Sequence, residues 1–399
     1  MPTALLAFGT RPEAIKMLPL LPALRSVGIA PQVAVTGQHR EMLDQVTRLF
    51  GVTPDFDLDL GKPGQSLAHI TSAAVQGVNN LVRQVEPDVL VVQGDTSTTV
   101  AAAMGAFYEQ CPVVHVEAGL RTGKRYSPFP EEINRRIATQ VASLHLAPTQ
   151  TNRRNLLMEN VSEASVVVTG NTVIDALLEI ARRDIPFTDP LLKALEGDGR
   201  RIVLITTHRR ESWGPRMLSA MSAVRDLAEK YTDCMFVLPM HRNPIVRQSV
   251  EPVLSGLRNV LLTEPLPYGD FARLLGLAHV VLTDSGGVQE EAPSLGKPVL
   301  VLRDDTERPE AIEAGTVNLV GTQRDVIYAE TAALLDDAAR YASMSRAVNP
   351  YGDGQAATRS AHAIAALLQV GERIADFSPT APLRSDGAHS GSSITSSAG

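Results

Sequence analysis

The feature that most constrains this chain is a repeating unit: a short β-branched apolar run, then glycine and polar residues, then a longer segment of helical character. In the first half the runs are Ala4–Phe8, Gln32–Val35, Val89–Val92, Val113–Val116, Leu144–Ala147 and Val166–Thr169. In the second half they are Ile202–Thr206, Met235–Leu238, Val260–Leu262, Val280–Thr283, Val299–Leu302 and Val317–Val320. Runs without polar alternation are apolar on both faces, the condition of a parallel sheet covered by helices on either side. The unit therefore predicts an α/β fold. At 399 residues the chain exceeds one core, since domains run to about 100–200 residues. Two series, divided by the Pro-, Gly- and Asp-containing stretch 183–200, predict two Rossmann-like domains with a ligand between them.

The expected division is 1–175 and 176–354, with a helix at about 355–370, after the turn-rich Asn349–Gly354, rejoining the first domain. Residues 378–399 are mostly Ser, Gly, Ala, Thr and Pro and are expected to form a flexible tail, for want of apolar content to order them. Composition excludes several classes. Hydrophobic residues make up 44% and charged residues 20%, the balance of a soluble globular protein. The run Met17–Leu24 is broken by Pro19 and Pro22, so neither a spanning helix nor a signal segment is expected and the cytoplasm is the default compartment. A formal charge of −7 argues against nucleic acid as a partner. Cys111 and Cys234 read as small core residues, neither disulfide nor metal ligands.

In open α/β sheets the ligand lies beyond the carboxyl ends of the strands, so the residues there are the ones to inspect. The first turn, Gly9-Thr10-Arg11-Pro12-Glu13, has Arg11, Pro12 and Ala14 where a dinucleotide fingerprint needs glycine, which disfavours NAD. Pro12 suits a first helical position and leaves Arg11 at the crevice edge; Glu13 complements the helix dipole, and Lys16 lies one turn on. Later strands run into Thr36-Gly37-Gln38-His39, Gln93-Gly94-Asp95-Thr96, and His115 with Glu117. In the second half the corresponding residues are His208-Arg209-Arg210, His241-Arg242 and Asp284-Ser285-Gly286-Gly287. Ser285, Gly286 and Gly287 open a helix whose free amides could receive a phosphate; the alternative makes Ser285 a plain N-cap with Glu290 and Glu291 exposed.

Asp95, Glu117 and Glu131 are three carboxylates converging on one crevice. Asp95 could instead cap the helix near Thr96, and Glu131 with Glu132 could serve the dipole of a helix whose buried face is expected to be Ile133, Ile137 and Val141. Glu117, followed by Ala118-Gly119 rather than a capping pattern, has no such alternative. Asp55, Asp57 and Asp59 alternate with Phe56, Leu58 and Leu60, which reads as the solvated face of an edge strand and not as a metal site.

These motifs together resemble the non-hydrolysing UDP-N-acetylglucosamine 2-epimerases over about residues 3 to 370. The stretches that carry the resemblance are FGTRPEAIKM (Phe8–Met17), HVEAGLRTG (His115–Gly123), PFPEEINRR (Pro128–Arg136), GNTVIDAL (Gly170–Leu177), DSGGVQEEAPSLGKPVLVLRDDTERPEAIEAGT (Asp284–Thr316) and NPYGDGQA (Asn349–Ala356). The resemblance implies a glycosyltransferase-B-like pair of domains with the active site in the interdomain cleft, a homodimer, and no oxidising cofactor. It implies UDP on the C-terminal domain, with Ser285 and Gly287 at the diphosphate, Glu291 at the ribose, Phe271 at the uracil, and Arg11, His208 and Arg308 facing phosphate charge. Asp95, Glu117 and Glu131 would be the acid/base group. Gln38, Arg209 and His241 match parts of a second, activating UDP-N-acetylglucosamine site. The sequence departs from the family at Gln93, where histidine is common, at Leu266 and Glu41, where glutamine is common, and at Gly64, which is arginine in some activator sites.

The implied chemistry is inversion at C2 of the sugar. No carbonyl adjoins that carbon, so elimination of UDP with loss of the C2 proton is the accessible route, needing acid/base groups on both faces and a stabilised leaving diphosphate. A UDP-sugar glycosyltransferase, a hydrolysing epimerase and a non-catalytic nucleotide-sugar sensor are the competing readings.

Overall fold

The computed structural model describes residues 1–37, 40–61, 65–183 and 185–379. Strands β1 (Thr3–Phe8), β2 (Ala30–Val35), β3 (Phe56–Asp57), β4 (Val89–Gln93), β5 (Val113–Val116), β6 (Leu144–Ala147) and β7 (Val166–Val168) form a seven-stranded sheet in the order β3-β2-β1-β4-β5-β6-β7. Strands β8 (Arg201–Thr206), β9 (Cys234–Pro239), β10 (Val260–Thr263), β11 (Ala278–Thr283), β12 (Val299–Val301) and β13 (Val317–Leu319) form a six-stranded sheet in the order β10-β9-β8-β11-β12-β13. Every pairing of neighbours is parallel. All the expected apolar runs are strands, differing only at their ends, and β3 is an edge strand within Asp55–Leu60.

Burial explains why those runs were legible. Leu5, Leu6, Phe8 and the whole of Val89–Val92 are fully buried, as strands with helices on both faces must be. The order reverses between β1 and β4 in one sheet and between β8 and β11 in the other. Such reversals open the crevices in which α/β proteins hold ligands, because successive crossovers leave to opposite sides.

Pro19 ends one helix and precedes the next, so the apolar run becomes two short helices, Arg11–Met17 and Leu20–Ser26. Within 185–200 the chain is anchored at points: Phe187 and Leu192 are buried, and the buried Asp270 carboxylate accepts from the Thr188 hydroxyl at 2.6 Å and from its amide at 3.1 Å. Helix Thr172–Arg182 is continuous. Helix Ala356–Leu367 returns to pack on it and on Leu20–Ser26. Beyond that helix the chain runs along the β7 edge, where the Phe377 amide donates to the Val168 carbonyl at 2.7 Å and the Phe377 ring is buried beneath the Arg359 guanidinium. The rest of the expected tail, 380–399, lies outside the described residues.

The helix Glu131–Val141 corrects one expectation. Its buried residues are Glu132, Arg135, Ala138 and Thr139, while Ile137 is 37% exposed. Glu132 accepts from the Thr122 amide at 2.9 Å and pairs with Arg135, so satisfied polar partners turn that face inward against the apolar spacing.

Candidate active site between the two sheets

At the first switch point Glu13 is a bolt rather than a dipole complement alone. Thr10 caps helix Arg11–Met17 in a capping box, and Glu13 accepts from the Gly9 and Thr10 amides at 2.9 and 2.7 Å. Its other oxygen accepts from the Thr96 and Thr99 hydroxyls at 2.5 and 3.1 Å, joining the turn after β1 to the turn after β4. Burial holds its pKa above the ordinary carboxylate value, against these hydrogen bonds. Thr96, not Asp95, caps helix Ser97–Tyr108. Asp95 is thereby freed from capping, and its carboxylate meets the Arg135 guanidinium at 2.7 and 2.8 Å.

Glu117 ends β5 with φ +62°, a conformation costly for a residue with a side chain. Its carboxylate receives the Lys16 ammonium at 2.7 and 2.5 Å, the Asn171 amide at 3.1 Å, and the Gln93 amide. Burial pushes its pKa up, but Lys16, Arg308 and Asn171 outweigh burial and hold it below the ordinary value. Lys16 responds in kind: burial lowers its pKa, Glu117 and Glu290 overcome this, and the net shift is upward. Glu131 lines the cleft, with one carboxylate oxygen buried and without a hydrogen-bond partner among the described residues. The neighbouring Glu132 is the one absorbed into structure.

Across the cleft, the fully buried Asp284 carboxylate accepts from the amides of His208 at 2.9 and 3.1 Å and Arg209 at 3.0 Å. It also meets His208 Nδ1 at 2.9 Å. A carboxylate only accepts, so Nδ1 carries the proton and Nε2 is the ring's second polar atom, on an imidazole 45% exposed. Ser285 stands at the N-cap of helix Gly286–Ser294 without a side-chain capping bond. Glu290 and Glu291 are buried, at 5% and 9% exposure, which removes the plain-cap alternative. A side chain at Gly286 would meet the Arg308 guanidinium, so that glycine makes room for an arginine, and Gly287 faces Glu291. Arg308 Nε donates to Glu290 at 2.6 Å; burial lowers the Arg308 pKa, Glu290 outweighs it, and the net shift is upward. Burial and Glu290 raise the Glu291 carboxyl to about 7, against Lys16 and Arg11. Arg11, lowered by burial, lies within electrostatic reach of Glu291 and Tyr268. Phe271, on helix Tyr268–Leu277, is half-buried against the core.

A cleft of about 1050 Å³ is lined by Glu117, Glu131, Asn171, Arg209, Glu290 and Arg308 among others, whereas Asp95, His208, Ser285, Gly286 and Gly287 are not among its lining residues. Of the second-site residues, Arg209 lines the cleft, His241 is exposed and accepts from the Asn243 amide at 3.2 Å, and Gln38 lies outside the described residues, as does Gly64. Asp55 accepts from the Val33 amide at 2.7 Å. No described helix is long and apolar enough to cross a membrane. Sequence reasoning missed Asn171, Glu290 and Asp284 as members of the site. Asn171 had a signal, since it opens GNTVIDAL just after β7; the two acids sat in the right motif without a stated role.

Two parallel-sheet α/β domains of glycosyltransferase-B-like arrangement, with the carboxylates Glu117 and Glu131 and the arginines Arg209 and Arg308 lining one cleft, define a class of nucleotide-sugar proteins. Within it the assignment is specific. Residues 23–365 match the model of the UDP-N-acetylglucosamine 2-epimerase family, and the chain belongs to that family. It is 50% identical over 367 residues to the UDP-N-acetylglucosamine 2-epimerase of Escherichia coli K12, covering 90% of this chain and 97% of that one. The Neisseria meningitidis UDP-GlcNAc 2-epimerase structure bound to UDP-GlcNAc superposes with a TM-score of 0.82 at 45% identity, over 92% of this chain and all of that one. The Methanocaldococcus jannaschii enzyme in complex with UDP-GlcNAc and UDP superposes with a TM-score of 0.73 at 31% identity, over 93% and 100%.

Proposed function

We propose that this chain reversibly epimerises UDP-N-acetylglucosamine at C2 to UDP-N-acetylmannosamine, without hydrolysis, as a cytoplasmic homodimer feeding polysaccharide precursor synthesis. The observation that supports it best is Glu117, a strained, largely buried carboxylate lining a cleft that Arg209 and Arg308 also line. In this reading UDP departs from C1 with the bonding electron pair while a carboxylate takes the C2 proton, leaving a C1=C2 double bond. UDP then re-adds to C1 and a proton arrives at C2 on the opposite face. Asp95, Glu117 and Glu131 serve as the acid/base group, and Ser285, Gly286, Gly287, His208, Arg308 and Arg11 stabilise the diphosphate.

Lys16 has a second part in this scheme. An incoming diphosphate competes for its ammonium, and a Glu117 relieved of that partner regains proton affinity as the leaving group is neutralised. Phe271 and Glu291 hold the base and ribose. Residues 1–175 with 355–370 carry the acid/base group and 176–354 carry UDP. Arg209, with Gln38 and His241, is assigned to a second, activating nucleotide-sugar molecule.

The test is a proton-NMR time course in deuterium oxide. Solvent deuterium appears at C2 of the epimerised product in its first turnover, because the proton taken from one face is not the one delivered to the other. Glu117→Gln and Asp95→Asn slow exchange and epimerisation together by about 10²–10⁴-fold, whereas Asp57→Asn on the edge strand changes neither. Product that retains its original C2 hydrogen would sink the elimination scheme.

A further inference from the structure

Asn171 occupies a position that uses both hydrogens of a primary amide, which its isosteric acid lacks. Its Nδ2 nitrogen donates to Glu117 Oε1 at 3.1 Å and to Glu290 Oε2 at 2.7 Å. One nitrogen with two hydrogens thus serves two carboxylates, one after β5 of the first sheet and one on helix Gly286–Ser294 beside the second. Each carboxylate also takes a cation: Lys16 donates to both oxygens of Glu117 and Arg308 to Glu290 Oε1. Followed by hydrogen bonds the order is Lys16, Glu117, Asn171, Glu290, Arg308, within a cluster in which Arg308 also acts electrostatically on Glu117. Asn171 is itself fixed, 2% exposed, with its backbone amide donating to the Tyr351 carbonyl at 2.7 Å. Its Oδ1 caps helix Thr172–Arg182 by accepting from the Val173 amide at 3.1 Å.

We propose that Asn171 is a positioning residue that couples the acid/base carboxylate Glu117 to the diphosphate arginine Arg308, through Glu290, when the two halves meet. Grip on the diphosphate by Arg308 then fixes Glu290, Glu290 fixes the amide, and the amide fixes the Glu117 oxygen. The rate part of this inference rests on the epimerase reading; the binding part needs only that the cleft takes UDP.

Two variants separate coupling from capping. Asn171→Asp keeps an N-cap acceptor as good as asparagine but sets a third carboxylate among Lys16, Glu117, Glu290, Arg308 and Tyr351. Asn171→Ser also keeps a capping oxygen, is neutral, and can donate only one hydrogen. The readouts are UDP affinity by calorimetry and C2 exchange in deuterium oxide, each as a ratio to wild type between about pH 5.5 and 8.5. Asn171→Asp is expected to lose about tenfold or more in both at the alkaline end and to recover toward wild type as acid protonates the new carboxyl and restores a donor. Asn171→Ser is expected to lose less, and equally at every pH.

Wild-type affinity and exchange in Asn171→Asp overturn the coupling, as does a loss of the same size at every pH. Should Asn171→Asp not fold, wild-type values in Asn171→Ser overturn it alone. A wild-type chain that binds UDP without exchanging C2 sinks the epimerase reading and leaves the coupling to be judged by the titration. One that binds no UDP sinks both.

Discussion

At the scale of single residues, the site is a set of charges whose partners determine what each can do. Glu132 and Glu131 are adjacent acids at one helix start, yet Glu132 is consumed by Thr122, Gly123 and Arg135 while Glu131 lines the cleft and keeps one buried oxygen without a partner among the described residues. His208 is held by Asp284, and Arg308 by Glu290, so the orientation of each is fixed by a buried acid. His208→Asn and Arg308→Ala should each weaken UDP binding by about 1.5–3 kcal/mol, the worth of a hydrogen bond to a charged group; unchanged affinity in both by calorimetry would remove them from the diphosphate site. Glu291 gives a pH prediction. Its folded pKa, about 7 against an ordinary 4.5, lies above the unfolded value, so below 4.5 both states hold the proton and nothing is lost. Stability then falls as pH rises through that window, because only the unfolded chain ionises freely. Glu291→Gln should therefore gain thermal stability over wild type progressively from about pH 4.5 to 7 and level off above, by a total of order 1–3 kcal/mol. Parallel Tm curves for the two chains across that range would contradict it.

At the scale of elements, the strand order reverses between β1 and β4 and between β8 and β11, and the turns there hold Arg11, Asp95, His208 and Ser285, while Glu117 and Arg308 follow the neighbouring strands β5 and β12. Glu13 ties the first pair of turns together, and Glu13→Ala would take the acceptor from the buried Gly9 amide and from the Thr10 amide. Its cost should be about 2–4 kcal/mol, read from denaturant unfolding; a loss under about 0.5 kcal/mol would show the bolt to be redundant. The start of helix Gly286–Ser294 gives a prediction of opposite kind. Gly286→Ala raises helix propensity by up to about 1 kcal/mol, but the new methyl displaces the end of the flexible Arg308 side chain. Stability should hold or rise while UDP affinity falls about tenfold. An affinity equal to wild type would mean that the Arg308 seat over this glycine is of no consequence to the nucleotide.

At the scale of the whole molecule, contacts across the cleft define a closed form. Glu310 accepts from the Thr149 hydroxyl at 3.0 Å, and Asn171 reaches Glu290. UDP should favour this form, since cations and carboxylates meet only when the halves approach; solution scattering should show a more compact particle at saturating UDP, and superimposable profiles would speak against closure. The sequence by itself determined the strands and the α/β class, because runs buried on both faces are apolar throughout, as Val89–Val92 and Val280–Leu282 are. It also placed Glu117 and Ser285 at strand ends, where local spacing suffices. The tertiary structure alone decided which acids are free and which are spent. Asp95 is released because Thr96 takes the cap, Glu132 is buried where apolar spacing pointed to Ile137, and Asn171 joins Glu117 to Glu290 over separations of 54 and 119 residues. Periodicity reports only which face of an element avoids water; the partner of a buried charge is fixed by residues far away in the chain, and no local pattern carries it.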